Sequence, residues 1–289
     1  KEPFHLERLQ SIAAANFVEL GLPANLSPNR DVGAQIYGDF WNESLSYAIG
    51  IFNGSADQGS SSSTDVDTNN DKDVTARIFA HPFKNTDNTV LKGLGIGAAV
   101  THGHKEGSTT PTFRSPAQAA VFTFNSGVTA DGPHTRFSPQ AYWYWNNIGV
   151  LGEYVSSNQE LIRGAVSDKF ENKAWQLSGT YVLTGEDASF KGVKPRKPFD
   201  LSLNQWGAFE IAARYGELDL DDELFLKNFS SINTSITKET AWGIGLNWYL
   251  NNNVRVMLDY ERTDFEGGAA EGADRAIEDA VFTRFQIAY

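Results

Sequence analysis

Apolar and polar side chains alternate one by one along segment after segment of this chain. In residues 237–250, Trp242 and Ile244 take alternate positions on one side, while Gly243 and Asn247 take the other. Successive side chains of a β-strand point to opposite faces, so this pattern indicates a strand with one apolar and one polar face. The last nine residues repeat it, with Val281, Thr283, Phe285, Ile287 and Tyr289 opposing Phe282, Arg284, Gln286 and Ala288.

The alternation recurs often enough to predict an all-β chain of eleven strands. Charged residues occur repeatedly on one face of these segments and essentially never on the other. The predicted strands lie near 31–40, 44–53, 73–81, 91–102, 135–145, 147–163, 170–184, 205–219, 237–250, 253–265 and 277–289.

One apolar face on every strand favours a transmembrane antiparallel β-barrel, with the apolar face toward lipid and the polar face toward the lumen. The connections support this reading. Short links at 41–43, 146–147 and 251–253 alternate with long ones, as short periplasmic turns alternate with long outer loops in such barrels. The long links are 54–72, 103–134, 220–236 and 266–276, and two links, 185–204 and 164–169, break the rule of length.

The amino-acid composition argues against several further classes of protein. The chain contains no cysteine, so it has no disulfide framework and no thiol chemistry. No apolar run approaches the roughly 18 residues of a membrane helix. The 24 basic and 36 acidic residues give a net charge of −12, which argues against nucleic acid as a partner.

The strand count also raises a question about the chain itself. Bacterial single-chain barrels have even strand numbers, so either the count of eleven is off by one or strands precede Lys1. No signal peptide is present, and we expect a processed or truncated chain. Residues 4–30 have a loop-like sequence before the first strand.

Several motifs resemble the phosphate-selective porin O and P family of outer-membrane proteins. They are Pro3-Phe4-His5-Leu6-Glu7, Tyr181-Val182-Leu183-Thr184-Gly185-Glu186, Gly207-Ala208-Phe209-Glu210, Gly245-Leu246-Asn247-Trp248-Tyr249-Leu250 and Arg284-Phe285-Gln286. The resemblance covers most of residues 3–289. It implies a sixteen-stranded homotrimeric barrel that passes small inorganic anions, of which this chain would hold the last eleven strands.

On this resemblance we expect a single barrel domain over residues 1–289. Residues 3–30 would form a constriction loop, with Glu7, Arg8, Glu19 and Arg30 as its charged members, and 31–289 the strands and loops. The sequence departs from the family in one respect, because Ser11 to Leu20 contains no basic residue where phosphate-selective members place lysines.

Ten charged residues on the polar faces are candidates to line the pore, where rings of charge set ion preference. The alternative is that they pair across strands and only satisfy one another. They are Arg77, Arg136, Arg214, Arg255, Arg284, Asp39, Glu153, Glu210, Asp259 and Glu261.

Metal sites are not expected, although two segments resemble ligand sets. Asp65, Asp67, Asn69 and Asp71 have the spacing of a calcium loop, but position six is Asn70 and position twelve is Ala76. A solvated acidic loop, or one meeting divalent cations that bridge lipopolysaccharide, fits as well. His102, His104 and His134 could bind a transition metal, and exposed loop histidines are the alternative.

No catalytic constellation stands out and no cofactor is implied. The sequence therefore predicts a porin of the bacterial outer membrane, in contact with its lipid and lipopolysaccharide, that passes small hydrophilic solutes. The resemblance implies that these are anions such as phosphate. The alternatives are a structural barrel whose lumen is filled by a loop or partner, an outer-membrane enzyme, and a soluble array of β-sandwiches.

Overall fold

Eleven long strands form one sheet in the computed structural model, which describes residues 1–58, 71–108 and 110–288. The predicted number of strands is confirmed. They are β1 Gly33–Phe40, β2 Leu45–Phe52, β3 Asp73–Ala80, β4 Leu94–Ser108, β7 Val128–Trp145, β8 Ile148–Arg163, β9 Val166–Val182, β10 Ala208–Asp219, β11 Ile236–Tyr249, β12 Val254–Gly267 and β13 Glu278–Ile287. A separate hairpin consists of β5 Phe113–Arg114 and β6 Ala120–Phe122.

The strands follow one another around the sheet in chain order, and each is antiparallel to the next. The pairing of β9 with β10 sets Ser178 opposite Arg214, and that of β11 with β12 sets Gly245 opposite Asp259. This is the up-and-down topology of a barrel wall. We call the end with the tight turns after β1, β7 and β11 the short-turn end, and the other the long-link end.

Three strands are longer at the long-link end than the alternation predicted. β4 continues to Ser108, β7 starts at Val128 and β9 starts at Val166. The outward residues of these extensions include Thr129 and Asp131, so the contrast between apolar and polar faces is lost there. Backbone pairing persists because it does not depend on that contrast.

The few helices are short and lie in the links and the first thirty residues. They are α1 Leu6–Leu9 and α2 Glu223–Leu226, with 3₁₀ turns at Leu22–Leu26, Leu201–Leu203 and Ala270–Gly272. Within the described ranges, none of them has the length and apolar character that crossing a membrane requires.

Burial is inverted relative to a soluble protein. Apolar side chains on the outward face are exposed, with 55% exposure at Ile244 and 48% at Leu258. On the inward face, Asn247 and Asp259 are 0% exposed. An apolar surface of this extent is stable against lipid rather than water. The predicted fold class, a transmembrane antiparallel β-barrel, is confirmed.

An apolar cluster fills the inner side of the sheet toward the long-link end, which the sequence did not predict. Wall residues such as Val155, Phe170 and Leu218 pack there against Phe122 of the β5–β6 hairpin and Phe229 of the β10–β11 link. These links fold inward because their aromatic side chains can leave water only by packing on the wall.

The β9–β10 link fills the interior from the short-turn end. Its Ala188 and Val193 are buried beside Tyr249, and its Phe190 ring stacks on Tyr142 with 4.8 Å between the ring centroids. This contact explains why the link is long although it lies at the end of short turns: it packs inside the barrel.

A basic side chain on the outward face should destabilise the protein strongly. We expect Ile244→Arg to lower the free energy of unfolding by about 2–4 kcal/mol, because arginine near the bilayer midplane loses its hydration. The matched variant Leu226→Arg, at the last residue of α2 and with 76% exposure, should change it by less than about 0.5 kcal/mol. Equilibrium unfolding in liposomes measures both values, and similar values would contradict the assignment of the faces.

Candidate functional site

Residues 1–30, the inner segment, cross the inner face of the sheet from β3 to β13. Near its start, Thr75 of β3 donates to a carboxylate oxygen of Glu2 at 3.0 Å. Further along, the backbone N–H of Leu6 donates to Glu153 of β8 at 2.9 Å. At the far side, Arg284 of β13 donates to the Val18 carbonyl at 2.8 Å.

Side chains of the wall satisfy the backbone of this segment. Arg255 donates to the carbonyl of Ala15 at 2.7 Å and to that of Ile12 at 3.1 Å. Asp259 accepts the Val18 N–H at 2.6 Å. Most of the segment has no regular secondary structure, so its buried polar groups need such partners. Several predicted pore-lining charges therefore hold the inner segment in place.

The segment also approaches the wall closely at Gly21. A Cβ atom built on Gly21 would lie 1.7 Å from Oε1 of Gln176, which is far inside contact distance. The Gly21 N–H donates to Glu7 at 2.9 Å, and Gln176 donates to the same Glu7 oxygen at 2.9 Å. Only glycine allows this approach without moving Gln176.

One buried ion cluster joins the segment to β10 and β12. Arg214 contacts Glu7 at 3.2 Å and Glu261 at 2.7 Å, and all three side chains are less than 10% exposed. The Arg214 guanidinium also lies 4.4 Å from the ring centroid of Phe17. Two carboxylates and an aromatic ring thus compensate the buried charge.

A second cluster joins the β2–β3 link to the wall. Arg136 of β7 contacts Asp57 at 2.5 Å, and Lys105 of β4 contacts Asp73 at 3.0 Å. Arg136 is fully buried. It also lies 3.6 Å from Asp73, so the two pairs form one network.

The three remaining wall candidates have different surroundings. Glu210 accepts from the Tyr249 hydroxyl at 2.7 Å, and Arg77 donates to Gln140 at 3.0 Å. Asp39 is exposed and accepts from Ser46 at 2.5 Å. All ten predicted residues lie on the inner face, and their role in lining a pore remains a prediction.

His5, Glu7 and Glu153 form a buried group of metal-ligand type that the sequence analysis missed. His5 Nδ1 accepts from the Arg8 N–H at 3.0 Å, so the ring proton is on Nε2, 3.3 Å from Glu153. Burial lowers the pKa of His5 well below its ordinary value, so the ring is neutral. With one ring nitrogen accepting and the other protonated, His5 has no lone pair for a metal. This group binds the segment to the wall.

Those metal candidates from the sequence that fall within the described residues do not form a common site. His134 is buried on the inner face, whereas His102 and His104 are exposed on the outer face, so these histidines do not converge. The separation follows from strand alternation across β4 and β7. Of the calcium candidates, Asp65, Asp67 and Asn69 lie outside the described residues, and Asp71 is exposed. Tyr289 also lies outside them.

A cavity of about 540 Å³ opens between the inner segment and β13. Four basic side chains line it, two of them predicted for a constriction loop and one for the pore wall. They are Lys1, Arg8, Arg30 and Arg284, and the acidic members of the lining are Glu7 and Glu19.

The structure thus defines a β-barrel protein whose interior holds a loop-like segment and a cation-lined cavity. The family model of the phosphate-selective porins O and P matches residues 1–289, so the chain belongs to this family. It is accordingly a protein of the bacterial outer membrane, as the sequence predicted.

Individual relatives are distant. Porin O of Pseudomonas aeruginosa is 24% identical over 146 residues, which are 46% of this chain and 32% of that protein. A porin structure refined at 1.8 Å is 12% identical with a TM-score of 0.44, and the match covers 90% of this chain and 64% of that one. OmpT, an outer-membrane protein of Vibrio cholerae, is 11% identical with a TM-score of 0.43, covering 88% of this chain and 62% of its own. The chain spans about a third of the curated relative and less than two thirds of these structures.

Removing the shared cation of the first cluster should loosen the inner segment. We expect Arg214→Leu to lower the free energy of unfolding by about 3–5 kcal/mol, because Glu7 and Glu261 would remain buried without it. Lys227→Leu is the matched control, since its partners Asp168 and Glu223 are exposed and the loss should stay under about 1 kcal/mol. Denaturant titration measures both losses. Adding Glu7→Gln and Glu261→Gln to Arg214→Leu should recover part of the loss, and no recovery would contradict the charge argument.

Glu2 should make the stability depend on pH. Burial raises its pKa from 4.5 to about 7, so the folded protein binds this proton more tightly than the unfolded chain does. The contribution is fully present below pH 4.5 and falls by about 3 kcal/mol as the pH rises to 7. Unfolding free energies of the wild type and Glu2→Gln between pH 4.5 and 7.5 check this. The difference between them should change across that window, and parallel curves would contradict the assignment.

Proposed function

We propose that this protein is a porin through which small hydrophilic solutes, chiefly anions such as phosphate, diffuse passively across the outer membrane. The observation that carries the proposal is the cavity between the inner segment and β13, with its four basic side chains. Charged side chains at a narrow part of a pore bias which ion enters.

The charge of the cavity is opposite in sign to that of the chain. Four basic and two acidic residues line it, a balance of +2, while the whole chain carries −12. Burial raises the pKa of Glu19, and the nearby Arg284 opposes this shift. Burial, and then the like charges of Arg30 and Arg8, lower the pKa of Lys1, so these cations lie close enough to repel one another. An entering anion would relieve that repulsion.

Two of the cavity cations lack a carboxylate partner in the described ranges. Arg8 and Arg284 form no ion pair with any residue in the described ranges, and each retains one buried guanidinium nitrogen without a hydrogen-bond partner there. They differ from Arg136 and Arg214, whose charges are compensated by carboxylates. The charges of Arg136 and Arg214 support the fold, whereas Arg8 and Arg284 line the cavity and contribute to its positive charge.

The family supports the remaining parts of the proposal. Its description gives phosphate as the solute, and the resemblance supports a homotrimer in contact with lipid and lipopolysaccharide. Residues 3–30 would act as the constriction loop within a single barrel domain over 1–289. Passive diffusion calls for neither an enzyme active site nor a cofactor.

A filled structural barrel is the second candidate. The apolar cluster at the long-link end favours it, because link residues pack there against the inner face of the wall. Under this alternative the protein would be a scaffold with no conductance, and the cation-lined cavity would not connect the two sides of the membrane.

Ion selectivity distinguishes these functions. We expect the purified full-length protein in planar bilayers to form open channels whose reversal potential in a KCl gradient is anion-selective. The double variant Lys1→Gln/Arg30→Gln should shift that potential toward zero, because two of the four cavity cations are lost. The matched control Lys169→Gln/Lys173→Gln, on the outward face of β9, should leave it unchanged. Folded barrels without conductance would favour the scaffold, and cation selectivity would overturn the anion preference.

A further inference from the structure

The wall of the cation-lined cavity is partly apolar. Ile12, Val18 and Leu20 of the inner segment line it together with the basic residues, and the Ile12 side chain is 63% exposed. A passage for fully hydrated inorganic ions would be expected to present polar groups at these positions. The apolar side chains therefore need an explanation beyond ion attraction.

The cavity has two chemically different parts. The side chains of Arg8 and Arg284 line the cavity and bring positive charge to it. The stretch from Ser11 to Leu20 contains no basic side chain at all. A solute in the cavity therefore meets positive charge from the cations and hydrocarbon from this stretch.

Inorganic phosphate matches only one of these parts. Its oxygens point in all directions, and an oxygen turned toward Ile12 or Val18 would lose water without gaining a hydrogen bond. An anion with an apolar group could place its charged end on the guanidinium groups and its apolar end on the hydrocarbon. The cavity volume of about 540 Å³ is within the range of small-molecule sites.

We propose that the cavity prefers organic anions, namely phosphate or carboxylate groups that carry a short alkyl or aryl substituent, over inorganic phosphate. This inference rests on the proposed anion-channel function and specifies its solute class. The basic residues attract the anion, and Ile12, Val18 and Leu20 select for its apolar part.

Phenyl phosphate and inorganic phosphate form a suitable pair of probes, because they differ by one apolar ring. Each is titrated as a blocker of the chloride current through the full-length protein, at a pH where both are dianions. We expect phenyl phosphate to give half-block at a concentration lower by about five- to tenfold, from burial of part of the ring.

Two variants test where the preference arises. Ile12→Asn should reduce the concentration ratio between the two blockers to about twofold or less, because it removes the most accessible apolar side chain. Val18→Thr keeps the side-chain shape and should reduce the ratio in the same direction. Leu226→Asn is the matched control, since this exposed leucine lies in the β10–β11 link away from the cavity, and the ratio should not change.

The outcomes separate the inference from the function on which it rests. An anion-selective channel that phosphate blocks at the same or a lower concentration than phenyl phosphate overturns the inference and leaves the anion channel standing. A preference for phenyl phosphate that survives both Ile12→Asn and Val18→Thr also overturns it, because the apolar wall would not be the cause. Channels without anion selectivity overturn the proposed function itself.

Discussion

A chain without regular secondary structure can lie inside a barrel only when the wall supplies partners for its backbone. The inner segment meets this condition through side chains of the inner face, such as Arg255 on the Ile12 and Ala15 carbonyls and Asp259 on the Val18 N–H. Buried N–H and C=O groups without partners would cost more than the packing returns. The path of the segment, the cavity beside it and the placement of its cations all depend on this set of bonds.

The same condition divides the charged residues into two groups. Arg136 and Arg214 are buried and compensated by carboxylates, so their charges stabilise the arrangement and offer little to a solute. Arg8 and Arg284 lie at the cavity and bond to backbone carbonyls, at Ala24 and Val18, without neutralising their charge. A count of charges on the inner face alone would mix these two groups.

The fold could be predicted from the sequence in large part, and the site only in part. Strand alternation is local, so Trp242, Ile244 and Asn247 reveal their faces without knowledge of their neighbours. The inward packing of Phe122 and Phe190 could not be predicted, because a link carries no periodic pattern that tells whether its aromatic residues meet water or the wall. The histidines illustrate the opposite situation. His102 on β4 and His134 on β7 are neighbours in the register of two paired strands, yet their side chains lie on opposite faces of the sheet.

The sequence by itself determined the eleven strands, their two faces and the resemblance to a porin family, because a period of two residues and short ordered motifs are properties of neighbouring positions. Only the tertiary structure decided which charges meet. Glu7 and Arg214 are 207 positions apart, and their contact depends on the curvature of the sheet and on the route of the inner segment across it. The composition of the cavity follows from that route, since cations of residues 1–30 and of β13 come together only when the segment has crossed the barrel.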